Sequence, residues 1–275
     1  MADVLYKFFP PERLTALQNR LVRFTPPEEF NDPFDIAPVA YYEGLQAGPT
    51  SGSSSGAFVE LRGKLAELMQ RQLDSIVNRP FLNQPLAANS RGVLCLTESS
   101  ASLLMWAHYA ASHKGFALGF DARHPWFAGA RPVLYDPERP TVVVSLAGSR
   151  DEGEEYLYRK SDEWRYEREW RLVRPLVPRG KTVTAGLVRH LRNADEFLAA
   201  PPSLQSTLFK VPRDAVREVV VGARMSNADR TLLATHLASQ PRLRITILEC
   251  RLDPHAFRLQ LDRVPRRRFL GRYGG

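Results

Sequence analysis

Apolar residues in this chain come in short runs, and proline or glycine closes most of them before a long helix or strand can form. Residues 4–9 read as a strand and meet Pro10-Pro11, residues 21–25 meet Pro26-Pro27, and residues 216–221 stop at Gly222. Proline removes a backbone donor and fixes φ, so each such pair forces a turn or a new element. Further strands are predicted over residues 92–97, 115–120, 132–135, 167–173 and 243–250. Helices are predicted over 11–19, 57–78, 103–111 (capped by Ser99 or Ser100) and 227–238. Short strands with helices inserted at irregular intervals predict an α+β fold with a central mixed or antiparallel sheet. They do not fit the regular alternation of a doubly wound fold.

With 275 residues, 44% of them hydrophobic and 25% charged, the chain can bury a substantial core and is not disordered as a whole. One α+β domain is expected over residues 1–262, with a Gly/Ser-rich loop at 48–56 and a solvated basic tail at 263–275. No run reaches the roughly 18 apolar residues of a membrane span, so no membrane partner is expected. The N-terminus shows no basic patch ahead of an apolar core, which predicts a cytoplasmic protein without a signal peptide. Cys95 and Cys250 each sit in an apolar run and are expected as buried, reduced thiols. Without Cys-x-x-Cys or His-x-x-x-His spacing, no metal is expected. A net charge of +8 favours an anionic partner, either nucleic acid or a phosphorylated small molecule.

Three constellations carry candidate chemistry. In Tyr166-Glu167-Arg168-Glu169-Trp170-Arg171, strand alternation puts Glu167, Glu169 and Arg171 on one face, with the glutamates roughly 7 Å apart at the backbone. That spacing suits two carboxylates approaching one reacting centre, beside a guanidinium that keeps Glu169 ionised or binds phosphate. In Met105-Trp106-Ala107-His108-Tyr109, helical spacing brings Trp106 and Tyr109 together, either as a surface for a base or nicotinamide ring or as a structural pair. His113 and Lys114 follow at the helix end, where positive charge complements the dipole. In Phe30-Asn31-Asp32-Pro33-Phe34-Asp35, two carboxylates and an amide either orient ribose hydroxyls or pin a rigid turn. P-loop, nucleophile-elbow and His-Glu-x-x-His motifs are absent.

Taken in order, these segments resemble the bacterial family known as domain of unknown function 2971. The resemblance runs from Leu5-Tyr6-Lys7 through Phe30 to Asp35 and Met105 to Tyr109, with His113-Lys114-Gly115, and closes on Trp164-x-Tyr166-Glu167-x-Glu169-Trp170-Arg171. The Glu-x-Glu pair on a late strand is also similar to the signature of ADP-ribosyltransferases, with Tyr6-Lys7 on the first strand and Cys95-Leu96-Thr97-Glu98-Ser99 on a middle one.

That second resemblance implies NAD as substrate and a nucleic-acid or protein acceptor, in a toxin or phage-defence effector. It implies Glu169 as the carboxylate that stabilises the ribosyl cation and Glu167 as the residue that orients or deprotonates the acceptor. Lys7 or Arg171 would lie on the pyrophosphate, and Trp106 or Tyr109 on a ring. Tyr6, Asn31, Asp32, Asp35, His108, His113, Lys114 and Tyr166 complete the expected NAD-binding set. Two other classes stand beside it: a non-catalytic nucleic-acid-binding module, and a metal-dependent nuclease using Asp32, Asp35, Glu167 and Glu169.

Overall fold

The computed structural model describes residues 2–43, 91–145, 154–176 and 207–274. The loop expected at 48–56 and the helix expected at 57–78 lie outside the described residues. The chain forms two compact units, Met1–Pro26 with Ser90–Val133 and Trp164–Gly275, and Pro27–Asn89 with Leu134–Glu163.

The first unit is built on an eight-stranded sheet. Its strands are β1 (Val4–Phe9), β4 (Arg91–Thr97), β5 (Phe116–Asp121), β6 (Arg131–Pro132), β10 (Glu169–Pro175), β12 (Val216–Val221), β13 (Thr246–Leu252) and β14 (Leu259–Val264). They lie in the order β14-β13-β12-β5-β1-β4-β10-β6. Neighbours run antiparallel except β12 and β13, which are parallel. A parallel pair needs a crossover, and helix α3 (Asn227–Ala238) supplies it, capped by Ser226. A small pair, β2 (Leu21–Arg23) with β11 (Leu208–Lys210), also belongs to this unit. The α+β class with a mixed sheet of short strands is therefore the fold observed.

Both faces of the sheet are covered. On one, Leu5, Leu118 and Val219 pack with α1 (Ala16–Asn19), with Leu233 and Leu237 of α3, and with Phe269 of α4 (Arg266–Tyr273). On the other, Tyr6, Phe8, Ala117 and Val220 pack with Met105 and Trp106 of α2 (Leu103–Tyr109). The expected helix over 11–19 is divided into a 3-10 turn, Pro11–Arg13, and the four-residue α1. Ser102, not Ser99 or Ser100, caps α2 by accepting a hydrogen bond from the Met105 amide.

The basic tail is corrected most. Residues 259–264 form the edge strand and 266–273 a helix whose Phe269 is buried, with Leu270 and Tyr273 packed beside the same core. Arg266 donates to the carbonyls of Leu237, Gln240 and Leu243. An apolar stripe through an arginine-rich segment is enough to dock it.

The second unit has two parallel pairs, β3 (Val39–Glu43) with β8 (Thr141–Ser145) and β7 (Leu134–Asp136) with β9 (Arg159–Ser161). The strand expected at 132–135 is thus two elements, with Pro132 in the eight-stranded sheet and Leu134 in the second unit. No helix among the described residues is long and apolar enough to cross a membrane.

Candidate active site

The register of five neighbouring strands aligns Glu218, Gly119, Tyr6, Thr97 and Glu169 as successive cross-strand partners. Directly opposed residues point to the same side of a sheet, so these form one row on the face covered by α2. Tyr6 leans across the bare Gly119 and donates to Glu218 Oε2 at 2.7 Å. Burial first, and the bond to Glu218 second, push its phenol up to about 12. Strand β12 bulges between Val216 and Glu218, which turns Arg217 out to pair with Asp121.

A Cβ on Gly119 would lie 2.8 Å from the Tyr6 ring and 2.8 Å from Val4. Gly119→Ala is accordingly expected to tilt Tyr6 off Glu218 and to lower stability by about 1–3 kcal/mol. Urea denaturation would measure it, and a variant as stable as wild type would refute the packing described.

Glu169 opens β10 and is 4% exposed, and Arg171, two residues on, is fully buried. Arg171 grips it at two points, Nε to Oε1 at 2.8 Å and Nη2 to Oε2 at 3.0 Å. A planar fork on a carboxylate fixes orientation as well as charge. Of the two roles the sequence offers Arg171, this geometry matches the one beside Glu169. With its guanidinium wholly buried, it positions Glu169.

Glu167 is not on the strand. It ends a 3-10 helix, Asp162–Glu167, and Arg168 at φ 44° separates it from β10. That left-handed residue breaks the alternation on which a shared face depended. Glu167 is nonetheless buried, and its Oε1 accepts the Tyr109 hydroxyl at 2.6 Å.

Of the two readings of the aromatic pair, the structural one describes Trp106. Trp106 is fully buried, edge-on to Phe8 at 4.9 Å, with Nε1 donating to the Ser100 carbonyl at 2.8 Å. It is a core residue and presents no face to a ligand. The exposed His108 and the half-buried Tyr109, Tyr166 and Trp164 form a series of neighbouring rings. Trp164 was outside the expected binding set, although its place in the Trp-x-Tyr-Glu segment was a usable signal.

After α2, Ala111, Ser112 and His113 follow with φ of 48°, 56° and 69°. Three successive left-handed residues other than glycine cost about 1–2 kcal/mol each. The turn is held by backbone bonds from Ser112 to Ala107, from His113 to Trp106 and from Arg224 to His113. Burial first, then Arg224, pushes the His113 imidazole below its ordinary value. Lys114 is exposed beside it.

Lys7 reaches back between β1 and β4, which pair only at Tyr6 and Thr97, and donates to the Cys95 carbonyl at 3.2 Å. Burial lowers its ammonium, Cys95 and Glu169 oppose that shift, and Arg13 and Arg23 add to it. Cys95 faces Arg171 across the ladder, and burial pushes its thiol well up; burial also takes Cys250 to about 12. Both folded values lie above the unfolded ones. Stability contributed by the neutral thiols is therefore fully present below about pH 9 and lost as pH rises toward 12. Cys250 is buried and Cys95 half-buried, so at pH 8 Cys250 is expected to resist a disulfide reagent until denaturant is added. Rapid labelling of Cys250 in the folded protein would contradict its burial.

The third constellation belongs to the second unit. Asp32 accepts the Phe34 amide at 2.9 Å, and the Asp35 amide donates to the Asp32 carbonyl. Asp35 is buried with Lys160, Nζ to Oδ2 at 3.5 Å, and Asn31 is exposed. The pinned-turn alternative describes this segment. Among the described residues, no three His, Cys, Asp or Glu side chains gather as a metal site.

Thr97 and Glu218 were not among the expected site residues. A lone acid inside the apolar run Val216-Arg217-Glu218-Val219-Val220-Val221 was the only hint of Glu218. No curated protein and no solved structure matches the chain. Residues 105–172, which carry α2, the left-handed turn, Glu167, Glu169 and Arg171, match the family model described as Protein of unknown function (DUF2971).

Proposed function

We propose that the chain is an ADP-ribosyltransferase-like enzyme that takes NAD as substrate and modifies a nucleic-acid or protein acceptor. The observation that carries this reading is Glu169, a carboxylate fixed by a two-point bond to a wholly buried guanidinium, in one row with Tyr6 and Thr97. Breaking the nicotinamide–ribose bond sends its electron pair to the departing nicotinamide and leaves an oxocarbenium-like ribosyl centre. A preoriented carboxylate stabilises that cation without reorganising as charge develops.

The acceptor nucleophile then bonds to the ribose carbon and gives up its proton, for which Glu167 is the assigned base. The Tyr109 hydroxyl holds Glu167, and Tyr109, Tyr166 and Trp164 offer partly exposed rings for a base or nicotinamide. Lys7, near Glu169, is the cation assigned to phosphate.

The test is nicotinamide release from NAD, with and without nucleic acid or bacterial lysate, by wild type and Glu169→Ala. Release is expected from wild type and is expected to fall at least about 100-fold in the variant, the scale of losing one electrostatic stabiliser. Calorimetry should show NAD bound by both. No release together with no NAD binding would sink the transferase reading.

A further inference from the structure

The end of the sheet farthest from Glu169 along the residue row is basic and open. A cleft of about 730 Å³ is lined there by Asp3, Asp121, Arg123, Arg217, Glu218, Arg244 and Arg263, among others. Three of these are carboxylates, and each is engaged: Asp3 with Arg123, Asp121 with Arg217, and Glu218 with the Tyr6 hydroxyl. Arg244 and Arg263 are exposed and have no carboxylate partner among the described residues.

The basic surface continues beyond the cleft. Arg266 binds the Leu243 carbonyl and so docks the start of α4 beside Arg242 and Arg244, with Arg267 and Arg268 exposed on that helix. A small phosphate needs one such cluster, whereas a cleft that runs on into a basic ridge fits a chain of phosphates.

We infer that this cleft binds the phosphodiester backbone of a nucleic-acid strand, with Arg244 and Arg263 on successive phosphates. Glu218 belongs both to the cleft lining and to the row that ends at Glu169. Four strand spacings separate the two glutamates, about 19 Å. A strand anchored in the cleft is thus placed on the same sheet face as the proposed reaction centre. The inference deepens the acceptor half of that reading, but it is measured without NAD, so either can fail alone.

The experiment is fluorescence anisotropy of a labelled single-stranded oligonucleotide with the full chain across a salt series. Wild type is expected to bind with affinity falling steeply as salt rises. In Arg244→Ala/Arg263→Ala the slope of log K against log salt should be shallower by about 1.4, and binding at 0.1 M salt weaker by about 25-fold, from the counterions two contacts to a single strand release. Arg251→Ala, at the opposite end of β13 and paired with Asp262, is expected to bind as wild type does.

A second measurement needs no variant: the bound oligonucleotide should protect Arg244 and Arg263 of wild type from phenylglyoxal. No binding by wild type, an unchanged double variant, or absence of protection overturns the inference. Inorganic tripolyphosphate binding the cleft while the oligonucleotide does not would also overturn it, by assigning the cleft to free phosphate.

Discussion

Arg171→Met is expected to lower the stability of the folded chain by about 3–5 kcal/mol, because it takes the two-point guanidinium bond from the buried Glu169 carboxylate. The wild-type guanidinium is wholly buried and makes two bonds to that carboxylate. The charge left behind cannot be screened as a surface charge would be. For a unit of this size the loss corresponds to roughly 10 °C in Tm. Glu169→Gln/Arg171→Met removes both charges and should recover most of the loss. Urea denaturation of the three variants, followed by circular dichroism, completes the double-mutant cycle. A single-variant loss below about 1 kcal/mol would show that the pair is not dry in solution.

Trp106→Ala should be comparably damaging, at about 3–5 kcal/mol. The ring is fully buried between β1 and α2, and truncation removes the Phe8 edge contact and leaves the Ser100 carbonyl without its indole donor. Trp106→Phe keeps most of the volume and loses the hydrogen bond, so its loss should be well under half as large. Chemical denaturation of both variants checks the order. If Trp106→Ala were as stable as wild type and instead weakened NAD binding, the ring would have to be a ligand surface.

These two residues mark where local reading stops. Both were singled out from the sequence, each with a ligand-binding and a structural reading left open. Trp106 was legible as an aromatic on one face of a short helix; which face the sheet would cover is a property of β1, about a hundred residues earlier in the chain. Arg171 was legible as the neighbour of Glu169 on a strand. That the pair turns inward depends on its register against Cys95 and Thr97.

Glu167 shows the same limit in backbone form. Alternation assigns faces only while φ stays extended, and the left-handed Arg168 ends that condition one residue before Glu169.

The sequence by itself determined the elements whose signals are local. Helix α3 occupies residues 227–238 and β12 residues 216–221 as read, because a capping residue ahead of a helix and a β-branched run closed by glycine act over a few residues. It also determined the α+β class, because short strands closed by proline or glycine with irregularly inserted helices exclude a regular doubly wound fold.

Only the tertiary structure decided which residues meet. The Glu218–Gly119–Tyr6–Thr97–Glu169 row draws on five strands from across the chain, and the Val39–Glu43 strand pairs with Thr141–Ser145. Strand partnership and register are set by hydrogen bonds between distant segments and by which side chains the shared core can bury. No local window of sequence contains both partners of such a bond.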